Sequence, residues 1–244
     1  MPMHKDVGAI LWKELRELWL ASQARGTLIR TLLWIAIFGM MLPSGSGLFW
    51  LRSPVTLYAW AWFPMFFTSA AVTGAFARER EQHTLETLLA SRIPDRAILW
   101  GKMAAAVIYG WGLNLISALV GLVVVNAGNP GLHFFDPALA VGGFAVSLLT
   151  ACLVAGAGVL ISMNAPTFQA ASQGITIVVL VLFLPMLALD LLPEAVVGPL
   201  QARVLAADVA TLAGWTGAAL AGVNAVLMAL ALSRFRRSRL LLEG

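Results

Sequence analysis

The sequence predicts an all-α polytopic membrane protein of six transmembrane helices, and three observations predict it. Hydrophobic residues make up 60% of the 244, where soluble domains hold roughly 45–50%. Charged residues make up 11%, where about 25% is usual. The remaining charge is sorted along the chain. Fourteen of the 16 Lys and Arg lie at or before Arg30, between Arg78 and Lys102, or from Arg234 onward, and only Arg52 and Arg203 lie elsewhere. Such asymmetry reports membrane orientation. Six spans with both termini cytoplasmic satisfy it, within a single transmembrane domain covering residues 1–244. The net charge of +4 does not point to nucleic acid, because the basic residues sit at the ends of apolar runs.

Residues 4–23 form an amphipathic pattern. Val7, Ile10, Leu11, Leu15, Leu18 and Trp19 fall on one side at helical spacing, and Lys13 and Glu17 form an i,i+4 pair. A helix lying flat on the membrane accounts for this. The alternative is a helix packed on a soluble partner. Spans follow at about 28–42, 54–77, 98–126, 137–163, 172–189 and 209–232. The first is short against the ~20 residues a bilayer needs, and Pro43-Ser-Gly-Ser-Gly47 is expected to turn the chain after it. A signal peptide is the competing reading there, but a full amphipathic helix is a poor positively charged leader. Tyr58, Trp60 and Trp62 open the second span as an interfacial aromatic cluster. Pro185 is expected to kink the fifth. Between 190 and 208, Pro193, Gly198 and Pro199 are expected to divide the chain into two short pieces at the membrane surface.

The long charged stretch between apolar runs, Arg78 to Lys102, cannot be buried in lipid and belongs in water or at the interface. It also reads as a helix. Thr84 is a plausible N-cap, Glu86 sits in the first turn, and Leu85, Leu88 and Leu89 share a face. Pro94 forces a break. A short surface helix with an apolar face is built to dock on something. Asn164 to Gln169, including Thr167 and Phe168, is a second, uncharged break.

Little here points to catalysis. No phosphate loop is present, since Gly101-Lys102 lacks the earlier glycine and the following hydroxyl. His4, His83 and His133 lie outside the spans, and no pair of Asp or Glu lies within them, so neither a Ser–His dyad nor an aspartyl pair is available at membrane depth. No Cys and His cluster has metal-ligand spacing. Cys152 reads as a small buried residue. No catalytic or metal-binding residue is assigned. The spans carry a few polar residues, Asn114, Ser117 and Asn224. These either hydrogen-bond between helices or contact a transported molecule. Ala206, Ala210, Gly214, Ala218 and Gly222 form a small-residue ridge that admits close approach by another helix, in this chain or in a second copy.

Phe76 to Pro94, followed by Gly101-Lys102, resembles the ABC-2 type transporter permeases. The matching residues are Glu79-Arg80-Glu81, Thr84-Leu85-Glu86, Leu88-Leu89, Ser91 and Gly101-Lys102. The departures are His83, where the family often has glycine, and the two extra residues Arg92-Ile93 before Pro94. The resemblance implies an N-terminal elbow helix along the cytoplasmic leaflet and a coupling helix between spans 2 and 3. It implies that Glu81, Thr84, Leu85, Glu86, Leu88 and Leu89 dock on a separate ATPase subunit, with the 164–169 turn as a smaller second contact. ATP and Mg2+ would be bound by that partner, with no cofactor in this chain. Two permease chains, as a homodimer or related heterodimer, would complete the transporter in the cell membrane, acting as an exporter. Two other readings remain: an ATP-driven assembly that passes force to a periplasmic partner, and a membrane scaffold.

Overall fold

The computed structural model describes residues 3–84, 92–191 and 193–234, without the side chains of residues 3, 185–191 and 200. The described chain is helical, as expected: α1 (Met3–Ser22), α2 (Arg25–Ile35), α3 (Leu42–Ser46), α4 (Pro54–Glu81), α5 (Asp95–Ala127), α6 (Pro137–Asn164), α7 (Phe168–Leu191), α8 (Glu194–Ala206) and α9 (Val209–Arg234). Among the described residues, five stretches are long and apolar enough to cross a membrane: Arg25–Leu51, α4, α5, α6 and α9; in α7 the apolar stretch Phe168–Leu184 is shorter.

The first apolar stretch is longer than the sequence predicts. Helical backbone continues from Arg25 to Leu51, through a π-helical turn at Ala36–Met41 and a 3-10 turn at Gly47–Leu51. Pro43 explains the wide turn. It lacks the N–H that would bond the Gly39 carbonyl, and its ring crowds that carbonyl, so the preceding backbone opens. Pro43 itself falls in the first turn of α3, where a missing N–H is harmless. The helical backbone therefore passes through Pro43 and is interrupted at Gly47, at φ 56, the last residue of the expected turn. Gly39 is held against α5: a Cβ there would lie 3.0 Å from the Ser117 carbonyl oxygen and 3.1 Å from its hydroxyl.

At this end of the bundle, side chains close each turn. Ser53 caps α4 through Val55 N–H at 3.1 Å, with Pro54 behind it. Asp136 caps α6 through Ala138 and Leu139 N–H, with Pro137 in the first turn. Asn126 closes the loop between α5 and α6 by accepting from His133 N–H at 2.7 Å and donating to the His133 carbonyl at 2.9 Å. Capping of this kind is worth about 1 kcal/mol per site.

α4 is the central helix, packed on α5, α6 and α7, while α9 lies on the far side of α6 and α1 lies across α5. Phe63, Val72, Phe76, Ile98, Leu99, Val154 and Val159 are fully buried between these helices. Glycines set the distances. A Cβ at Gly143 would lie 2.5 Å from the Trp60 ring, and one at Gly158 would lie 2.1 Å from Val72, so α4 reaches α6 only because both positions are bare. Trp60 then stacks on Phe144 at 4.8 Å.

One further expectation is revised. Residues 194–206 form one helix that runs through Pro199 instead of two pieces. The only carbonyl deprived of its helical donor by Pro199 is that of Ala195, which is exposed and open to solvent. α7 runs through position 185 to Leu191. The small-residue ridge of α9 turns away from the rest of the chain. Gly214 and Gly222 meet nothing within 4 Å, whereas the packing face holds Ala213, Gly217 and Leu227, against Gly142, Leu149 and Gly156 of α6.

Candidate functional site

The sharpest chemistry lies where the C-terminal ends of α4 and α6 meet the N-terminal ends of α5 and α7, with α1 laid across them. Its hub is the final turn of α4, Glu79-Arg80-Glu81, and each of the three side chains holds a different element.

Glu79 holds α5 and α1. Its Oε1 lies 3.0 Å from Lys102 Nζ of α5 and 3.1 Å from Lys13 Nζ of α1. Lys102 also meets Glu14 of α1 at 2.7 Å and is 1% exposed at its side chain. Gly101 makes this possible. A Cβ there would sit 2.5 Å from Ile10 Cγ2 and 3.3 Å from Leu11 N, so α1 descends onto α5 at that bare position and buries the lysine beside it. The Lys102 ammonium also faces the Phe76 ring at 5.3 Å, a cation–π contact. Lys13 reaches Glu17 at 3.6 Å, the predicted i,i+4 pair. Burial alone would lower the Lys13 pKa. Its contacts with Glu79, Glu14 and Glu17 outweigh this and hold it above the ordinary lysine value.

Arg80 holds the end of α6. Its guanidinium donates to the Met163 carbonyl at 2.7 Å and to the Ala165 carbonyl. These are among the last carbonyls of α6, which lack helical donors, and a cation there also meets the negative end of the helix dipole. Glu81 holds the start of α7, accepting from Phe168 N–H at 2.9 Å. A carboxylate at a helix N-terminus is the complementary arrangement. Just above the hub, the Ser162 hydroxyl of α6 bridges the α4 backbone. It accepts from the Phe76 and Ala77 N–H groups and donates to the Thr73 carbonyl, each at 3.1 Å.

The hub ends in a tight reversal. Thr84 N–H bonds the Glu79 carbonyl at 2.9 Å and His83 N–H bonds the Arg80 carbonyl at 3.1 Å, the two bonds of a Schellman cap. The residue between helix and exit must then be left-handed. His83 takes that role at φ 56, the only non-glycine with positive φ among the described residues. Its departure from glycine therefore leaves the turn intact.

The predicted site residues divide as follows. Glu81 and Thr84 lie in the hub, and the Thr84 hydroxyl donates to the Glu79 carbonyl at 3.3 Å. Leu85, Glu86, Leu88 and Leu89 lie outside the described residues. In the second break, Thr167 caps α7 by accepting from Ala170 N–H at 3.1 Å. Phe168 carries the Arg78 guanidinium 5.1 Å above its ring. Asn164 is exposed and donates to its own helix at Leu160, and Gln169 is exposed. Asn224 bonds the Leu149 carbonyl of α6 at 2.9 Å, so it joins helices. Ser117 is buried against Gly39. Asn114 is fully buried, and neither atom of its amide has a hydrogen-bond partner among the described residues.

Sequence reasoning missed Lys13, Glu14, Glu79, Arg80 and Lys102 as a connected group. One signal was present: Glu14 stands on the apolar stripe of α1, between Leu11 and Leu15 and four residues before Leu18. A carboxylate there needs a buried cation.

Beside the hub a cleft of roughly 520 Å3 opens between α1, α2, α4, α5 and α7, with Arg30, Arg78, Tyr109, Thr31, Phe67 and Lys102 among its walls.

The family model described as ABC-2 type transporter matches residues 5–186, which include the whole hub and stop short of α8 and α9. No curated protein and no solved structure shows a significant match.

Proposed function

The chain belongs to the ABC-2 type transporter family, and from that premise we propose that this permease subunit is the membrane half of an exporter, coupled to ATP hydrolysis on a separate subunit through the connector between α4 and α5. The protein is membrane-embedded and multi-pass. It is a transport component, not the catalyst of hydrolysis. In the proposed arrangement α7 is the remaining span, giving six, both termini are cytoplasmic, and α1 is the elbow. ATP and Mg2+ bind the ATPase partner. Glu81, Thr84, Leu85, Glu86, Leu88 and Leu89 dock on that partner, and residues 164–169 make the smaller contact. A second permease chain completes the assembly in the cell membrane.

The observation that carries this reading is the threefold tie of Glu79, Arg80 and Glu81 to α1 and α5, to α6 and to α7. A displacement of the connector just beyond Thr84 acts at once on the ends of four apolar helices and on the surface helix. Rigid packed elements transmit such a shift as a choice between discrete arrangements. The positive-inside asymmetry supports placing this end in the cytoplasm, where an ATPase is accessible.

The test is co-purification of the permease with its ATPase, together with flux in liposomes. Leu88→Asp should leave the permease melting curve unchanged, abolish capture of the ATPase and abolish ATP-dependent flux. Capture that survives Leu88→Asp rules out this helix as the docking element. ATPase capture with ATP turnover but no flux of any cargo transfers the assignment to force transmission.

A further inference from the structure

We propose that the cleft beside the hub is a binding site for a phosphate-bearing amphiphile, whose headgroup phosphate is held between Arg30 and Arg78.

Among the described residues, these two arginines are the cations of this cleft that no carboxylate neutralises. Of the four lining cations, Lys13 and Lys102 are engaged by Glu14, Glu17 and Glu79. Arg30 and Arg78 meet no carboxylate among the described residues. The lining carries four cations against three carboxylates, each of which lies against a lysine, so the net charge facing the cleft is positive.

Arg78 is also oriented for the task. An arginine in the last turn of a span usually extends outward to water. Here the guanidinium folds back over Gly74, one turn deeper, where a Cβ would lie 3.3 Å from its Cζ and Nε. It rests above the Phe168 ring at 5.1 Å, which fixes its plane. Arg30, on α2, lines the same cleft, about 7.5 Å along the helix from Arg25 at 1.5 Å per residue. Beside it the Tyr109 hydroxyl faces Thr31, two helical turns deeper along α5 than Lys102. A planar guanidinium fork and nearby hydroxyls are the donors a phosphate selects.

The mixed lining indicates an amphiphile and not a free anion. Beyond the ionic hub, Phe67, Ala70 and Ala71 of α4 line the cleft together with Arg30, Thr31 and Tyr109, so polar donors and apolar surface share one cavity. A small hydrated anion gains nothing from that apolar wall, whereas an acyl chain does. The inference rests on the membrane placement of α2, α4 and α5 in the reading above. It requires no ATPase, so its failure is separable from failure of the coupling reading.

The test is titration of the purified full chain, in uncharged detergent, with dioctanoyl phosphatidylglycerol, with dioctanoylglycerol and with inorganic phosphate, read by native mass spectrometry. Saturable binding of one phosphatidylglycerol per chain is expected. Arg30→Gln and Arg78→Gln should each weaken it about tenfold, the loss of one charge-assisted contact. Arg78→Lys keeps the charge without the fork and should weaken it less. Arg52→Gln, at the other end of the bundle, should leave it unchanged. Melting curves of each lipid-free variant identify those that fold, and Arg78→Lys carries the test if a glutamine variant does not. Dioctanoylglycerol should not compete. Non-saturable uptake overturns the proposal, as does binding insensitive to every arginine variant, or phosphate alone binding as tightly as the lipid.

Discussion

The Lys102 ammonium lies 2.7 Å from Glu14 Oε1 and is 1% exposed, so the surface helix α1 is tied to α5 by a buried charge. Lys102 shares the same ammonium with Glu79 at 3.0 Å. α1, α4 and α5 thus meet at one nitrogen. Burying charge is unfavourable unless it is paired, and removing one member strands the others.

Lys102→Met should therefore destabilise the permease by about 3 kcal/mol, in the range found for breaking buried pairs. Lys102→Met with Glu14→Gln and Glu79→Gln should recover part of that loss, because no uncompensated charge remains. The measurement is a denaturation series in detergent. A single variant as stable as wild type would remove the buried pair from the energetics of the fold.

Lys13 makes alkaline pH a probe of the same cluster. Its folded-state pKa is raised above 10.5, so the unfolded chain releases the proton first. The stabilisation is fully present below pH 10.5 and is lost as pH rises through the folded value. The melting temperature should fall above that point, and Lys13→Gln should flatten the fall. Lys13 is half exposed, so the effect shrinks in high salt.

Arg80→Ala should release two α6 carbonyls, those of Met163 and Ala165. A charge-assisted hydrogen bond is worth about 1.5–3 kcal/mol, and the loss should appear locally. Faster amide exchange in residues 164–170, with exchange in α5 unchanged, is the expected pattern. Uniform acceleration throughout the bundle would show that Arg80 acts on the whole fold instead.

His83→Gly should stabilise the chain by up to about 1 kcal/mol, since a side chain at φ 56 is strained and glycine is not. His83→Val should do the reverse, because β-branching worsens the left-handed conformation. Paired melting curves decide the sign.

Much of the fold was legible in the sequence for a simple reason. A bilayer leaves helices as the only choice for long apolar runs without a closed barrel. Hydropathy therefore located most of the long apolar helices, five of which are long enough to cross a membrane among the described residues. It misjudged the length of the first, because Pro43 was weighed as a turn former, and a π-helical turn at Ala36–Met41 absorbed it within the apolar stretch. It also divided residues 194–206, where Pro199 costs only the helical partner of the exposed Ala195.

The site was legible only as residue types. Glu79-Arg80-Glu81 and Gly101-Lys102 stand out as charged and small groups flanking apolar runs, and local periodicity goes no further. That Glu79 meets Lys102, that Arg80 meets Met163 and that Glu81 meets Phe168 depends on which helix ends share one end of the bundle. Those pairings span 23, 83 and 87 residues, distances over which side-chain spacing carries no information. The sequence by itself determined an all-helical membrane protein with a charged connector. Tertiary packing decided the rest: the bare Gly101 let α1 approach α5, the buried Lys102 then required two carboxylates, and the last turn of α4 became the point where the helix ends are joined.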